Sequence, residues 1–314
     1  MPPTGGDPLS PAERAEYAAL RGAESLADLV AVTGAADEHD AYFAAKDAHR
    51  DLAARAGRGP GSAGGLPGRR VVLDGADFWV HGVTHADTDA ERDFLRDHVH
   101  RILDGDAVVY AEQGVRPMYF RDVDGVCAMD DYAWATRRCA AMDCDSHVDL
   151  PDGAFEGVRE DVASLAARFR EAAFSLVDAG SSVYGEAFEA ALGDLATSFL
   201  TSHEDAATGR DFASFKRSAR AARDPSRLAA LQAYYERAFL PQPVEREWLR
   251  RHDPELEVVT HARNERMADY AVYHHDSAAS VHLVVGAAHQ PGVAYYLREH
   301  AAGDRSADGF ELAR

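Results

Sequence analysis

Apolar residues recur along this chain with two different periods, and the change between them divides it. Over residues 8–56 the spacing is helical, with Ala15, Tyr17, Leu20, Leu26, Leu29, Val30, Tyr42 and Leu52 on the apolar side and Ser10-Pro11 as an N-cap and first-turn pair. The stretch Gly57 to Gly68 is too rich in glycine and proline for any element, so it predicts a linker over 57–69 between an N-terminal helical segment, 1–56, and the remainder, 70–314. Val71–Asp74 and Phe78–Val80 then read as short strands around the turn Asp74-Gly75. Thr88 and Glu91 frame a capping box before a helix through Phe94, Leu95, Val99, Ile102 and Leu103, and Ala107–Ala111 is a buried strand that ends at Glu112.

Strand, helix and strand at this spacing predict a βαβ unit. From about 130 to 252 the pattern is helical and reads as an insertion, of the kind that caps the site edge of a sheet or builds a dimer contact. The end returns to α/β, with a strand at Glu257–Thr260, a helix from about Asn264 to His274, a strand at Val281–Val285 and a helix near Gly292–His300. The expected fold class is α/β, a mainly parallel mixed sheet with a large helical insertion and an N-terminal helical appendage.

Composition narrows the function. Hydrophobic residues make up 46% of 314, enough to form a core, and the formal charge is −20, with 53 acidic against 33 basic residues. The short basic clusters, Arg69-Arg70, Arg137-Arg138 and Arg250-Arg251, are diluted by acids, which excludes a nucleic-acid surface as the expected role. Such an acidic surface keeps a protein soluble in concentrated salt, and a halophilic setting is the expectation drawn from it, with an Asp-rich high-GC proteome as the rival. Three cysteines, Cys127, Cys139 and Cys144, do not make a complete disulfide framework, and Cys139, Cys144 and His147 fit no standard zinc knuckle. With no signal peptide and no apolar stretch of membrane length in the sequence, a cytoplasmic location is expected, with no membrane partner.

Two segments end alike, in an apolar run followed by Gly-x-x-His: Phe78 to His85 and Val281 to His289. With 25 glycines and 15 histidines, chance gives about one such pair, so the spacing is weak and the context carries the signal. Both pairs fall where a strand stops and a helix begins, which is where open α/β sheets gather ligands. His85, Glu112 and His289 should therefore meet at one edge although the two histidines lie 204 positions apart. A carboxylate straight after a buried run is costly to desolvate unless it is paired, liganded or opened to solvent. Two imidazoles and one carboxylate suit a borderline divalent ion such as zinc, manganese or cobalt. Arg116, Arg263, Asn264 and Glu265 stand nearby in the pattern as a polar shell, the arginines for a developing oxyanion, against the simpler reading of a salt bridge and an ordinary first helical turn.

The chain resembles the TraB/PrgY (pheromone shutdown) family, which is similar to the GumN and Tiki proteins. The resemblance rests on Gly82-Val83-Thr84-His85, on Val108 to Glu112 with Arg116, on Arg263-Asn264 with Met267-Ala268, and on Val284 to His289 with Gly292. It covers about residues 71–122 and 257–300. It implies a fold like that of erythromycin esterase and the ChaN haem-binding proteins, with the paired Gly-x-x-His motifs and a glutamate as a metallopeptidase centre. Two departures are Ala262, where an acidic residue is common, and the lack of a counterpart to the C-terminal membrane helices of some members.

The function expected from this is metal-dependent hydrolysis of an amide in a peptide or small-molecule substrate. His85, Glu112 and His289 would be the metal ligands and Arg116, Arg263 and Asn264 the catalytic shell. Glu112 serves as general base if it stays outside the coordination sphere, and Glu265 is the spare carboxylate. The alternative is a binding protein that sequesters a peptide, haem or a metal at the same edge without turnover. Self-association into a homo-oligomer is left open by the sequence.

Overall fold

A computed structural model describes residues 9–57, 59–86, 88–103, 107–112, 116–117, 172–179, 185, 192, 203–275 and 278–306. The three cysteines, Arg137, Arg138 and the first part of the expected insertion lie outside them.

Three N-terminal helices come first: α1 (Pro11–Arg21), α2 (Leu26–Thr33) and α3 (Glu38–Ala56). Ser10 caps α1 in a complete capping box with Glu13, and Pro11 takes the first turn. The Gly/Pro-rich stretch expected to be a linker is instead an edge hairpin, β1 (Gly61–Ala63) and β2 (Leu66–Leu73). Its reason is the pair Gly64-Gly65, both at positive φ, which forms the two-residue turn that only such residues allow without strain. Next come β3 (Ala76–Val83), α4 (Asp89–Leu103), β4 (Val108–Ala111) and β5 (Arg116–Pro117). After them follow α5 (His203–Ala207), α6 (Phe212–Arg223), α7 (Leu228–Ala238) and α8 (Gln242–His252).

The strand expected at Glu257–Thr260 is not one. The chain runs from a short helix, Pro254–Glu257, through a π turn, Val258–Ala262, straight into α9 (Arg263–His274). The β-branched run Val258-Val259-Thr260 favours a strand locally, but helix precedes and follows it without a break and holds it in helical register. The chain closes with β6 (Ser280–Gly286) and α10 (Gln290–Ala302).

Among the described residues the sheet has six strands, in the order β1-β2-β3-β6-β4-β5. Its centre, β3-β6-β4, is parallel, and the outer pairs are antiparallel, so the sheet is mixed rather than mainly parallel. The strand-helix-strand unit of β3, α4 and β4 is split by β6, which enters between its two strands. Burial on both faces explains the apolar run Leu283–Val285 in β6, while the buried polar ring of His282 is hydrogen-bonded on both nitrogens. Val281, Leu283 and Val285 face α9 and α10, in a core with Phe78, Met267 and Leu297. Val284 faces the other way, with Leu66, Leu95 and Ile102 under α4.

The N-terminal helices share a core with α8, where Leu20, Leu26, Leu29 and Tyr42 surround Trp248. Tyr42 and Trp248 stack at 4.1 Å, and below them Glu245 takes hydrogen bonds from the Tyr42 hydroxyl (2.5 Å) and Lys46 (2.8 Å). Both members of that ion pair are buried, an arrangement that holds only because each is fully partnered. Among the described residues no helix is long and apolar enough to cross a membrane.

Candidate functional site

The parallel centre of the sheet brings three chain positions to one edge. β4 ends at Ala111, and Glu112 continues its ladder, its N–H donating to the Val284 carbonyl at 2.9 Å. β3 ends at Val83, whose carbonyl accepts from Ala287 at 2.9 Å, and His85 follows two residues later. β6 ends at Gly286, and a turn closed by His289 N–H on the Gly286 carbonyl (2.8 Å) sets His289 at the start of α10.

The side chains meet on Glu112. His85 Nε2 lies 3.3 Å from Glu112 Oε2, and His289 Nε2 lies 3.3 Å from Oε1. Arg263 Nη2, from the first residue of α9, is 3.0 Å from Oε1, and the Gly286 N–H donates to Oε2. Glu112 is 1% exposed, whereas His85 and His289 are 12% and 18% exposed, so the acid forms the floor and the imidazoles reach solvent. Burial opposes the charge on Glu112, yet His289, His85 and Arg263 together hold its carboxyl well below the usual carboxylate range. Burial pushes His289 down to about 4, with Arg263 and His85 adding to it against the pull of Glu112. At neutral pH the set is therefore an ionised acid, a neutral His289 and one permanent countercharge on Arg263.

The glycines of the two motifs act through space rather than through φ. Neither Gly82 nor Gly286 has a positive φ. A Cβ on Gly82 would lie 2.9 Å from Ala287 Cα, and one on Gly286 would lie 3.1 Å from His85 Nε2 and 3.3 Å from Glu112 Oε2. Gly286→Ala is thus expected to crowd the floor of the site itself. We expect it to lower stability by about 1–3 kcal/mol and to weaken ion binding far more than that loss explains, read by urea unfolding beside a zinc titration. Unchanged binding would show that the site tolerates the methyl.

Within the site the residue at positive φ is His85, at +56, a conformation that among the described non-glycine residues is shared with Asp74 at +50. Such a conformation persists only where its surroundings impose it. Here they do, because the buried carboxylate of Glu91 takes hydrogen bonds from Thr84 N–H (2.7 Å), Thr84 Oγ1 (2.7 Å) and Ala86 N–H (3.1 Å), clasping the loop on both sides of His85. The capping box forms only in part: Thr88 Oγ1 accepts from Glu91 N–H at 3.2 Å, while the Glu91 side chain serves the histidine loop.

His289 is supported from behind. Its Nδ1 is 2.7 Å from Asn264 Oδ1, and the Asn264 amide donates to Gln242 Oε1 at 3.0 Å. In that order Nδ1 carries the proton and the Nε2 lone pair faces Glu112, the tautomer an ion would need. Gln242 Oε1 is also 3.1 Å from His261 Nδ1, and His261 Nε2 is 3.1 Å from the Ala207 carbonyl oxygen. Burial keeps His261 neutral, so this order leaves one of its two acceptors without a proton. Turning both amides over satisfies His261 and moves the His289 proton to Nε2, facing Glu112. The ion-ready tautomer therefore costs about one buried hydrogen bond, ~1–3 kcal/mol.

The other expected site residues divide. Asn264 reaches the site through His289, and Arg263 reaches it directly. Glu265 does not: two residues along α9 from Arg263 it faces another side of the helix, where Arg246 and Arg305 hold its carboxylate. For Arg116 the structure describes the backbone, paired with Ala111 across β4 and β5. The sequence reading missed Glu91 as a loop clasp, Gln242 as the support of Asn264, and Gln232, whose amide donates to the Gly82 carbonyl at 2.8 Å. Only Glu91 left a signal, as half of the capping box. His81 in β3 and His282 in β6 are buried and hydrogen-bonded to each other at 2.9 Å.

Among the described residues, the group of three ligand atoms all within 4.8 Å of one another is Asp37, His39 and Asp40, exposed at the start of α3. Asp37 there accepts from Asp40 N–H as the helix cap. His85, Glu112 and His289 form a more open set, with the two rings on different oxygens of the acid. Compared with known proteins, the chain matches no family model, no curated protein and no solved structure.

Proposed function

We propose that this edge is the centre of a metal-dependent hydrolase acting on an amide, in a peptide or a small molecule, as the resemblance to the TraB/PrgY family implies. The observation that carries the reading is the meeting of two imidazoles on the two oxygens of one buried, ionised carboxylate at the ends of parallel strands. The donor set suits zinc, manganese or cobalt, with His85, Glu112 and His289 as ligands. Two features work against tight binding: the open spacing of the rings, and the fixed charge of Arg263 beside the same acid. When bound, the ion polarises the scissile carbonyl and acidifies a water.

The chain's own residues do the rest. Arg263 keeps Glu112 ionised and is the cation placed to steady an oxyanion. Asn264 fixes the orientation of His289, and Glu91 that of the His85 loop. Where Glu112 stays outside the coordination sphere, its unprotonated oxygens accept the proton of the attacking water.

Chelator-stripped protein, reloaded with zinc, manganese or cobalt and assayed on a peptide pool at low and high salt, tests the proposal. Cleavage should disappear on stripping, return with one of the ions, and fall by at least about 100-fold in His85→Ala. Cleavage indifferent to chelator and to that substitution overturns the reading. Bound metal without cleavage under any salt favours the sequestering alternative.

A further inference from the structure

A second feature lies away from the strand edge. A cavity of about 730 Å³ opens between the N-terminal helices, the β2 hairpin, α7 and α10, within the size range of small-molecule sites. Five arginines line it, Arg21, Arg69, Arg70, Arg237 and Arg298, against two glutamates, Glu236 and Glu299. That balance runs against the whole chain, whose formal charge is −20. Arg69 is paired with Glu236 and Arg70 with Asp77. Among the described residues Arg21, Arg237 and Arg298 form no ion pair, and Arg21 lies over the Tyr17 ring, which also lines the cavity. Arg21 and Arg298 are exposed and Arg237 is half-buried. Like charges gathered in a partly desolvated hollow repel one another, and an anion relieves that repulsion.

We propose that this cavity binds a small organic phosphate. Guanidinium forks match phosphate oxygens two at a time, and a phosphate concentrates on one group the charge that three cations demand. The volume exceeds that of inorganic phosphate alone and leaves room for an organic moiety against Tyr17 and Tyr295. One residue links the cavity to the candidate site: Gln242 lines it and holds Asn264, the support of His289.

Calorimetric titration of the full chain with ADP, inorganic phosphate, adenosine and citrate tests the inference, at low salt and again in molar KCl. ADP should bind, inorganic phosphate should compete with it, and adenosine should not bind. Arg237→Gln and Arg298→Gln should each weaken ADP by about 10-fold or more, the loss of one charge-assisted contact, with circular dichroism unchanged. Any of three results overturns the inference: no ADP binding to the unsubstituted chain at low salt, ADP binding unaffected in the folded double variant, or citrate binding as tightly as ADP. None of these depends on hydrolysis or on a metal ion.

Discussion

Glu112→Gln should lower stability by about 3 kcal/mol and abolish the proposed hydrolysis together. The stability loss comes from Arg263, which is left partly buried at 3.0 Å from an oxygen that no longer carries charge. Glutamine keeps the volume and an acceptor for the Gly286 N–H, so little of the effect comes from packing. The partner variant separates charge from shape. Arg263→Met alone removes the countercharge and strands the acid, again at about 3 kcal/mol, whereas Glu112→Gln with Arg263→Met should cost much less than the sum. Urea unfolding of the four proteins measures the coupling. Additive losses would mean that the Arg263 and Glu112 charges do not support each other, and the account of the floor would fail.

Lowering the pH from 7 to 5 should cost the fold several kcal/mol through buried histidines. His81 sits between the Pro67 carbonyl and His282, each at 2.9 Å, and His282 reaches Ser280 Oγ at 2.9 Å. Burial, with the adjacent His282, pushes His81 down to about 3, and burial pushes His282 to about 4. His289 is likewise held at about 4 by burial. In the unfolded chain each ring takes a proton near pH 6.5. Between that pH and the folded values the unfolded state binds more protons, so stability falls as pH falls, by about 1.4 kcal/mol per unit for each ring. Above pH 6.5 these groups contribute no slope, and below about 3 to 4 their loss levels off. Glu112 works in a different window, because its lowered carboxyl stabilises the fold above the ordinary carboxylate range and loses that contribution only in stronger acid.

Relaxing acidic repulsion toward the isoelectric point of 5.1 acts in the opposite sense, and molar KCl screens it. Urea midpoints at pH 7, 6 and 5 in that salt should therefore decline, and less steeply in His81→Gln/His282→Gln. A flat profile would show that these rings do not stay neutral in the folded chain.

The candidate site was legible where its residues are tied to strand ends. Periodicity located β3, β4 and β6, and the direction of a parallel sheet then brought His85, Glu112 and His289 together. What escaped depends on facts that no local pattern carries. Val258-Val259-Thr260 has a strand's composition but continues a helix, and Gly57–Gly68 has a linker's composition but supplies an edge hairpin with its turn glycines. Glu265 is adjacent in sequence to the residues that form the site, yet helical rotation takes it to another ion cluster. Gln232 and Gln242 act through buried amides whose partners come from distant elements. The cationic cavity joins α1, β2, α7 and α10, and its five arginines are scattered over 278 positions of an acidic chain.

The most direct measurement is a cobalt(II) titration of stripped protein followed by visible absorption, with His85→Ala, His289→Ala and Asp37→Ala beside the unsubstituted chain. The account predicts one bound equivalent with a ligand-field spectrum, lost or strongly changed in both histidine variants and preserved in Asp37→Ala. No spectrum at any pH at which the protein is folded, or one that survives removal of both histidines, would contradict it.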